Sequence, residues 1–149
     1  MALKIAQFLA LVLTALALLP AGAHLLELPN KIDLPQDRYF VVQDIYRGWW
    51  LLGSILLLAI VANIYLTVKS YRFAASFWLA ILAALFLVGS LTIFFIWTYP
   101  TNVETNNWTS VPANWAELRT RWEYSHAANA AMIFGAYCSV VLSSLLARG

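Results

Sequence analysis

Four stretches of this chain carry no Asp, Glu, Lys or Arg: positions 5–26, 48–68, 73–103 and 124–147, uncharged runs of 22, 21, 31 and 24 residues. A helix that crosses a bilayer needs about 20 mostly apolar residues, so four crossings fit, placed at about 5–27, 48–69, 73–99 and 124–147. The composition agrees. Of 149 residues, 62% are hydrophobic and 11% charged, against roughly 45–50% apolar and 25% charged in soluble domains. The expected fold is all-α: a single domain over 1–149 forming an integral membrane four-helix bundle, with a structured helical and loop cap on one face.

Other classes fall away on the same numbers. The net charge of +2 comes from no clustered basic patch, which removes nucleic acid as a partner. Cys138 is the only cysteine, so no disulfide, Cys-x-x-Cys pair or thiolate zinc site is available. With few spans, no internal repeat and no charge near the midplane of a span, transport by a single chain is disfavoured. Asn107-Trp108-Thr109 matches a glycosylation sequon and is taken as chance.

Lys4, the apolar run to Leu19, then Pro20 and Ala21-Gly22-Ala23 resemble a signal peptide cleaved before His24. The apolar pattern continues through Leu25, Leu26 and Leu28, so an uncleaved helix bending at Pro20 or Gly22 is preferred. Four spans put both termini and the link between spans two and three on one side, with Lys4, Lys69, Arg72 and Arg148 close to the membrane and no acid. The other side carries loops 27–47 and 104–123 with Lys31, Arg38, Arg47, Arg119, Arg121 and all seven acids. The density of base places both termini in the cytoplasm.

The two loops carry helix-start signals. Pro35 followed by Gln36-Asp37 reads as a first turn, and Tyr39, Gln43, Tyr46 and Trp50 then share one helical face leading into span two. Val111-Pro112-Ala113-Asn114 starts a second helix in which Trp115, Arg119, Trp122, Glu123, His126 and Asn129 fall on one side. Trp49, Trp78, Trp97 and Tyr99, at span ends, read as an interfacial aromatic belt. Ala127, Ala131, Gly135, Ser139 and Ser143 form a small-residue seam for close helix packing. Gln7, Asn63 and Asn129 are expected to hydrogen-bond to neighbouring helices.

The chemically specific feature is the pair of histidines, the only two in the chain. His24 closes span one and His126 opens span four, at the same interface. Each has an acid three residues away, Glu27 and Glu123, on its own helix face. If the two spans are neighbours, the four groups converge. They would suit a metal ion held by His24, Glu27, Glu123 and His126, or a haem between the histidines. They would equally suit a cofactor-free site in which a glutamate-oriented imidazole acts as base and Arg119 stabilises an oxyanion. Two interfacial histidines hydrogen-bonded to their own glutamates would look the same in sequence.

The segments AHLLELPNKIDL, YFVVQDIYRGWW, YPTNVETNNW and VPANWAELRTRWEYSHAANA resemble the anthrone oxygenase-like family of small four-span membrane proteins, whose bacterial members are mostly known only as a domain of unknown function. The resemblance runs over nearly the whole chain and is most specific in Trp115, Arg119, Trp122 and His126, preceded by Asn102, Asn107 and Trp108. Family members often carry a basic residue after the histidine, where this chain has Asn129. The resemblance implies an O2-dependent oxidoreductase acting on a hydrophobic phenolic or polycyclic carbonyl compound. His126, Arg119, Trp122 and Glu123 would be catalytic, with Trp115, Asn129, Tyr46 and Trp108 against the substrate. The competing expectation is a non-enzymatic membrane subunit, or a metal- or haem-binding protein, whose cap docks a membrane partner or a second copy of the chain.

Overall fold

The computed structural model describes residues 1–147; Arg148, one of the bases used above to orient the chain, lies outside the described residues. Among those residues the chain is all-helical, with no strand. Four helices are long and apolar enough to cross a membrane. They are α1 (Ala2–Lys31), α3 (Gly53–Lys69) together with the 3-10 turn Trp49–Leu52 that leads into it, the pair α4 (Ala74–Ile93) and α5 (Tyr99–Glu104) joined by a π turn, and α6 (Trp115–Leu146). A short helix, α2 (Gln36–Gln43), lies in the first loop. The neighbours are α1 with α3, α3 with α4, α4 with α6 and α6 with α1, a closed ring that makes the first and last long helices adjacent.

The packing has small residues inside and large ones outside. On α1 the inward positions are Ala6, Ala10, Thr14, Ala17, Ala21 and His24, recurring every three or four residues, and then Lys31 two turns further on. Phe8, Leu19 and Leu26 point outward and are at least 64% exposed. Alanines at 59, 62, 80, 83, 130 and 136 fill the same inward positions on the other helices, and such small residues let helix backbones approach closely. Part of the expected seam on α6 does this work. A Cβ on Gly135 would meet the Phe86 ring at 3.2 Å, and Ser143 bonds to Ser76 across the helix pair at 2.9 Å. Ala131, however, is exposed, so the buried line runs through Ile133, Ala136 and Val140.

Two of the asparagines inside the bundle bond to neighbouring helices. Asn63 Nδ2 donates to Thr14 Oγ1 at 3.0 Å and to the Ala59 carbonyl at 2.8 Å, and Ser90 Oγ donates to Asn129 Oδ1 at 3.0 Å. Thr14→Val removes one of the two acceptors of Asn63 and leaves the other. Its expected cost in a denaturant titration of the detergent-solubilised protein is therefore small, about 0.6 kcal/mol, the usual value for such bonds between membrane helices.

Two expectations for the cap need correction. The first long helix does not stop at 27; it continues through Pro29 to Lys31 as one element with both Pro20 and Pro29 inside it. Nor do Tyr39, Gln43, Tyr46 and Trp50 lie on one continuous helix. After α2 the chain makes a 3-10 turn (Asp44–Tyr46), reverses at Gly48 with φ +87°, and makes a second 3-10 turn (Trp49–Leu52) before α3. Glycine adopts that left-handed backbone at no steric cost. The break turns Tyr46 and Trp49 inward and leaves Trp50 79% exposed.

The α4–α5 junction shows the opposite strategy. Pro100 lacks the N–H that would satisfy the Ile96 carbonyl. The chain widens into a π turn over Phe94–Thr98, and Arg121 donates to that carbonyl at 3.4 Å. The turn buries Thr98 against Ser125 at 2.8 Å and sets Asn102 to accept from Trp122 Nε1 at 2.8 Å. A second, aromatic core thus forms in the cap from Tyr39, Trp108, Leu118 and Trp122, with Leu34, Phe40, Tyr46 and Trp115 around it.

Candidate functional site

The site lies where the inward face of α1 meets that of α6, at the base of the cap. His24 and His126 stack, with ring centroids 4.0 Å apart and planes 28° from parallel. Trp122, one turn before His126, packs steeply inclined against both imidazoles, at 5.1 Å from His24 and 4.2 Å from His126. Tyr46 at 4.5 Å and Trp49 at 5.5 Å close the other side of His24. His24 is 6% exposed, and neither His24 Nδ1 nor His126 Nε2 has a hydrogen-bond partner among the described residues. A buried polar atom without a partner costs about 1–3 kcal/mol, and such strain is characteristic of functional positions.

Beside the histidines sits a buried cation. Lys31 is 3% exposed. Its Nζ lies 3.1 Å from Glu123 Oε1 and 3.6 Å from Glu27 Oε2, and it donates to the Tyr46 hydroxyl at 2.6 Å. The ammonium also sits over the rings of Tyr46 and Trp122, at 4.4 and 4.9 Å from their centroids, a placement that attracts a cation to the ring quadrupole. Tyr46 in turn donates to Glu27, and Tyr39 donates to Glu123 at 2.8 Å. Two carboxylates, two phenols and one ammonium therefore form a single network, whose innermost member, Glu123, is fully buried.

The network fixes the state of both phenols. Burial and the neighbouring Glu123 carboxylate raise Tyr39 well above the ordinary phenol value near 10, and burial with the bond to Glu27 does the same for Tyr46. Both remain protonated donors while the chain is folded. In the unfolded chain they ionise near pH 10, so their contribution to stability is complete below that pH and is lost as pH rises above it. An ultraviolet titration is expected to show these two tyrosines ionising only together with alkaline unfolding.

Several expected roles move. Neither histidine is oriented by its glutamate, because Glu27 and Glu123 are engaged by Lys31 and the tyrosines. Among the described residues no three His, Cys, Asp or Glu side chains are grouped so as to hold a metal ion, and His24, Glu27, Glu123 and His126 do not make such a set. Arg119 does not face the imidazoles: it donates to the Leu34 carbonyl at 2.7 Å and stacks on Trp115 and Tyr39, tying the first loop to α6. Trp115 and Trp108 belong to the cap core, and Asn129 is taken by Ser90. Trp49, read as part of an interfacial belt, lies against His24 instead, while Trp78, Trp97 and Tyr99 are outward and exposed.

Trp108 is held at some cost. Asn106, Asn107 and Trp108 have φ of 49°, 54° and 66°. Asparagine tolerates this left-handed region far better than tryptophan. The turn is fixed by Asn107 N–H to the Asn102 carbonyl at 2.7 Å and Trp108 N–H to Thr105 Oγ1 at 3.1 Å. It places the indole between Tyr39 and Trp122, at 5.1 and 5.8 Å, and so backs the wall of the site.

Comparison of the chain with models of known protein families, with curated proteins and with solved structures finds no match.

Proposed function

We propose that this chain is an integral membrane protein, with both termini in the cytoplasm, that oxidises a hydrophobic phenolic or polycyclic carbonyl compound with molecular oxygen at the membrane interface. The membrane part is supported by the inside-out packing: large apolar side chains cover the outer surface of four long helices, and alanine and serine fill the interior. The resemblance to anthrone oxygenase-like proteins supplies the reaction class, and the observation that carries it here is the stacked imidazole pair. Each ring has a nitrogen left without a partner, inside an aromatic wall suited to planar rings.

In this reading a neutral His126 takes an acidic C–H proton from the substrate. The resulting enolate is electron-rich enough to reduce O2 directly; one oxygen atom enters the carbon as a carbonyl and the other leaves as water. His24 packs against the base, and Trp122 holds both rings in register. The fixed positive charge is Lys31 rather than Arg119, because Lys31 is the cation that reaches the same aromatic basket. Preorganised charge in a site shielded from water is the largest source of catalysis in reactions of this type.

The test is oxygen uptake by the purified protein reconstituted in vesicles and given an anthrone. The expected result is quinone formation well above that of empty vesicles, with one O2 consumed per quinone; a rate equal to that of empty vesicles rejects the reading.

A second reading, a subunit whose cap docks a membrane partner, draws on Val41, Ile45, Trp50 and Leu51, which are 56–79% exposed on the first loop and the start of span two. A stoichiometric partner co-purifying with the wild-type protein, without turnover, would favour it.

A further inference from the structure

The site already contains a phenol, and it belongs to the chain. The Tyr46 ring packs on His24 at 4.5 Å, on Trp49 at 5.1 Å and on Trp122 at 5.7 Å. Its hydroxyl accepts from the buried Lys31 ammonium at 2.6 Å and donates to the Glu27 carboxylate. An ammonium on one side and a carboxylate on the other match the two hydrogen-bonding capacities of a phenol, one acceptor and one donor.

Tyr46 is also the part of the site easiest to move. It does not stand on a long helix. It ends a three-residue 3-10 turn and is followed by the exposed Arg47 and by Gly48, whose left-handed backbone sets the reversal into α3. The rest of the basket, from His24, Lys31, Trp122 and His126, is fixed on α1 and α6. Glu27 and Tyr46 are only partly buried, so this side of the site opens to the exterior.

We propose that Tyr46 occupies a phenol subsite, and that a phenolic ligand binds by displacing the Tyr46 ring and placing its own hydroxyl between Lys31 and Glu27. This rests on the reading above that the site takes phenolic compounds, and it assigns which residues receive the phenolic oxygen. The ring of the bound phenol then lies against His24 and Trp122, beside the imidazole pair. Tyr46 is thus a competitor of the substrate rather than a wall behind it.

The two roles of Tyr46 predict opposite signs. Equilibrium dialysis of p-cresol against the full-length protein in detergent, with a protein-free micelle blank, measures binding; 4-methylanisole, the same ring with its hydroxyl methylated, is the control. Tyr46→Phe keeps the ring but removes both latch bonds, so p-cresol is expected to bind on the order of tenfold more tightly than to the wild type. Adding Lys31→Met, or the milder Glu27→Gln at a partly exposed position, is expected to cancel most of that gain. 4-Methylanisole should show neither change. Unchanged or weaker binding of p-cresol to Tyr46→Phe overturns the proposal, as does a gain that survives Glu27→Gln or is shared by 4-methylanisole. No turnover is read, so a protein that binds p-cresol in this way but fails the oxygen-uptake test rejects the oxygenase reading and leaves the phenol subsite standing.

Discussion

Replacing Lys31 by Met is expected to be the most destabilising single change in the cap, about 3–5 kcal/mol, the usual cost of removing one partner from a buried ion pair. The size follows from what is left behind. Glu123 is fully buried and Lys31 is its only cationic neighbour among the ion pairs of the described residues, so the variant strands a carboxylate with a single donor, the Tyr39 hydroxyl. Tyr46 loses a donor and two aromatic rings lose their cation. Glu123→Gln should cost less, because Lys31 keeps Glu27 at 3.6 Å and the Tyr46 hydroxyl. The double variant Lys31→Met with Glu123→Met should recover most of the loss, since an apolar pair of similar volume replaces both charges at little net cost. Denaturant titrations of the wild type, Lys31→Met, Glu123→Met and the double variant complete the cycle, and a coupling near zero would show that the two charges do not meet inside the cap.

The second large effect concerns turnover. His126→Ala is expected to lower the rate of anthrone oxidation by roughly 10²–10⁴-fold, the range attributed to a positioned general base. His24→Ala should have a smaller effect on rate, because His24 acts by packing against His126 and Trp122. Arg119→Ala should leave the chemistry in place and loosen the first loop, as its guanidinium holds the Leu34 carbonyl rather than the reacting centre. Equal rates for wild type and His126→Ala, with both folded, would remove the imidazole from the mechanism.

Much of this arrangement is legible in the chain. The four uncharged runs locate the long helices, Asn114 marks the start of α6, and helical spacing puts Trp122, Glu123, His126 and Asn129 on one face. The encounter of His24 with His126 needs only that the first and last helices be neighbours, which the closed ring provides. Lys31 is the main omission. Read as a loop residue after Glu27, it lies on the inward register of α1 that runs through Ala17, Ala21 and His24, and counting on by seven would have placed it inside. Pro29 conceals this, because a proline there reads as the end of a helix rather than as part of one.

Other features depend on contacts that spacing does not encode. Trp49 resembles the belt residues Trp78 and Trp97 in its position at the end of a span; only the reversal at Gly48 turns it towards His24. Glu123 and Glu27 have the right spacing to orient the histidines, but a buried ammonium competes for them and wins, since a charge inside the fold needs an opposite charge more than an imidazole needs an acceptor. The left-handed turn at Trp108 has a local signal in Asn106-Asn107, yet the burial of the indole is set by Tyr39 and Trp122.

The central claim is that a histidine of the stacked pair removes a proton from carbon at the base of the cap. It is tested most directly without oxygen, by following hydrogen–deuterium exchange at the methylene of an anthrone in anaerobic D2O with vesicles that contain the wild type or His126→Ala. The account predicts exchange accelerated well above that of empty vesicles by the wild type and close to the empty-vesicle rate for His126→Ala. Exchange no faster than in empty vesicles, or equally fast in the variant, would contradict it.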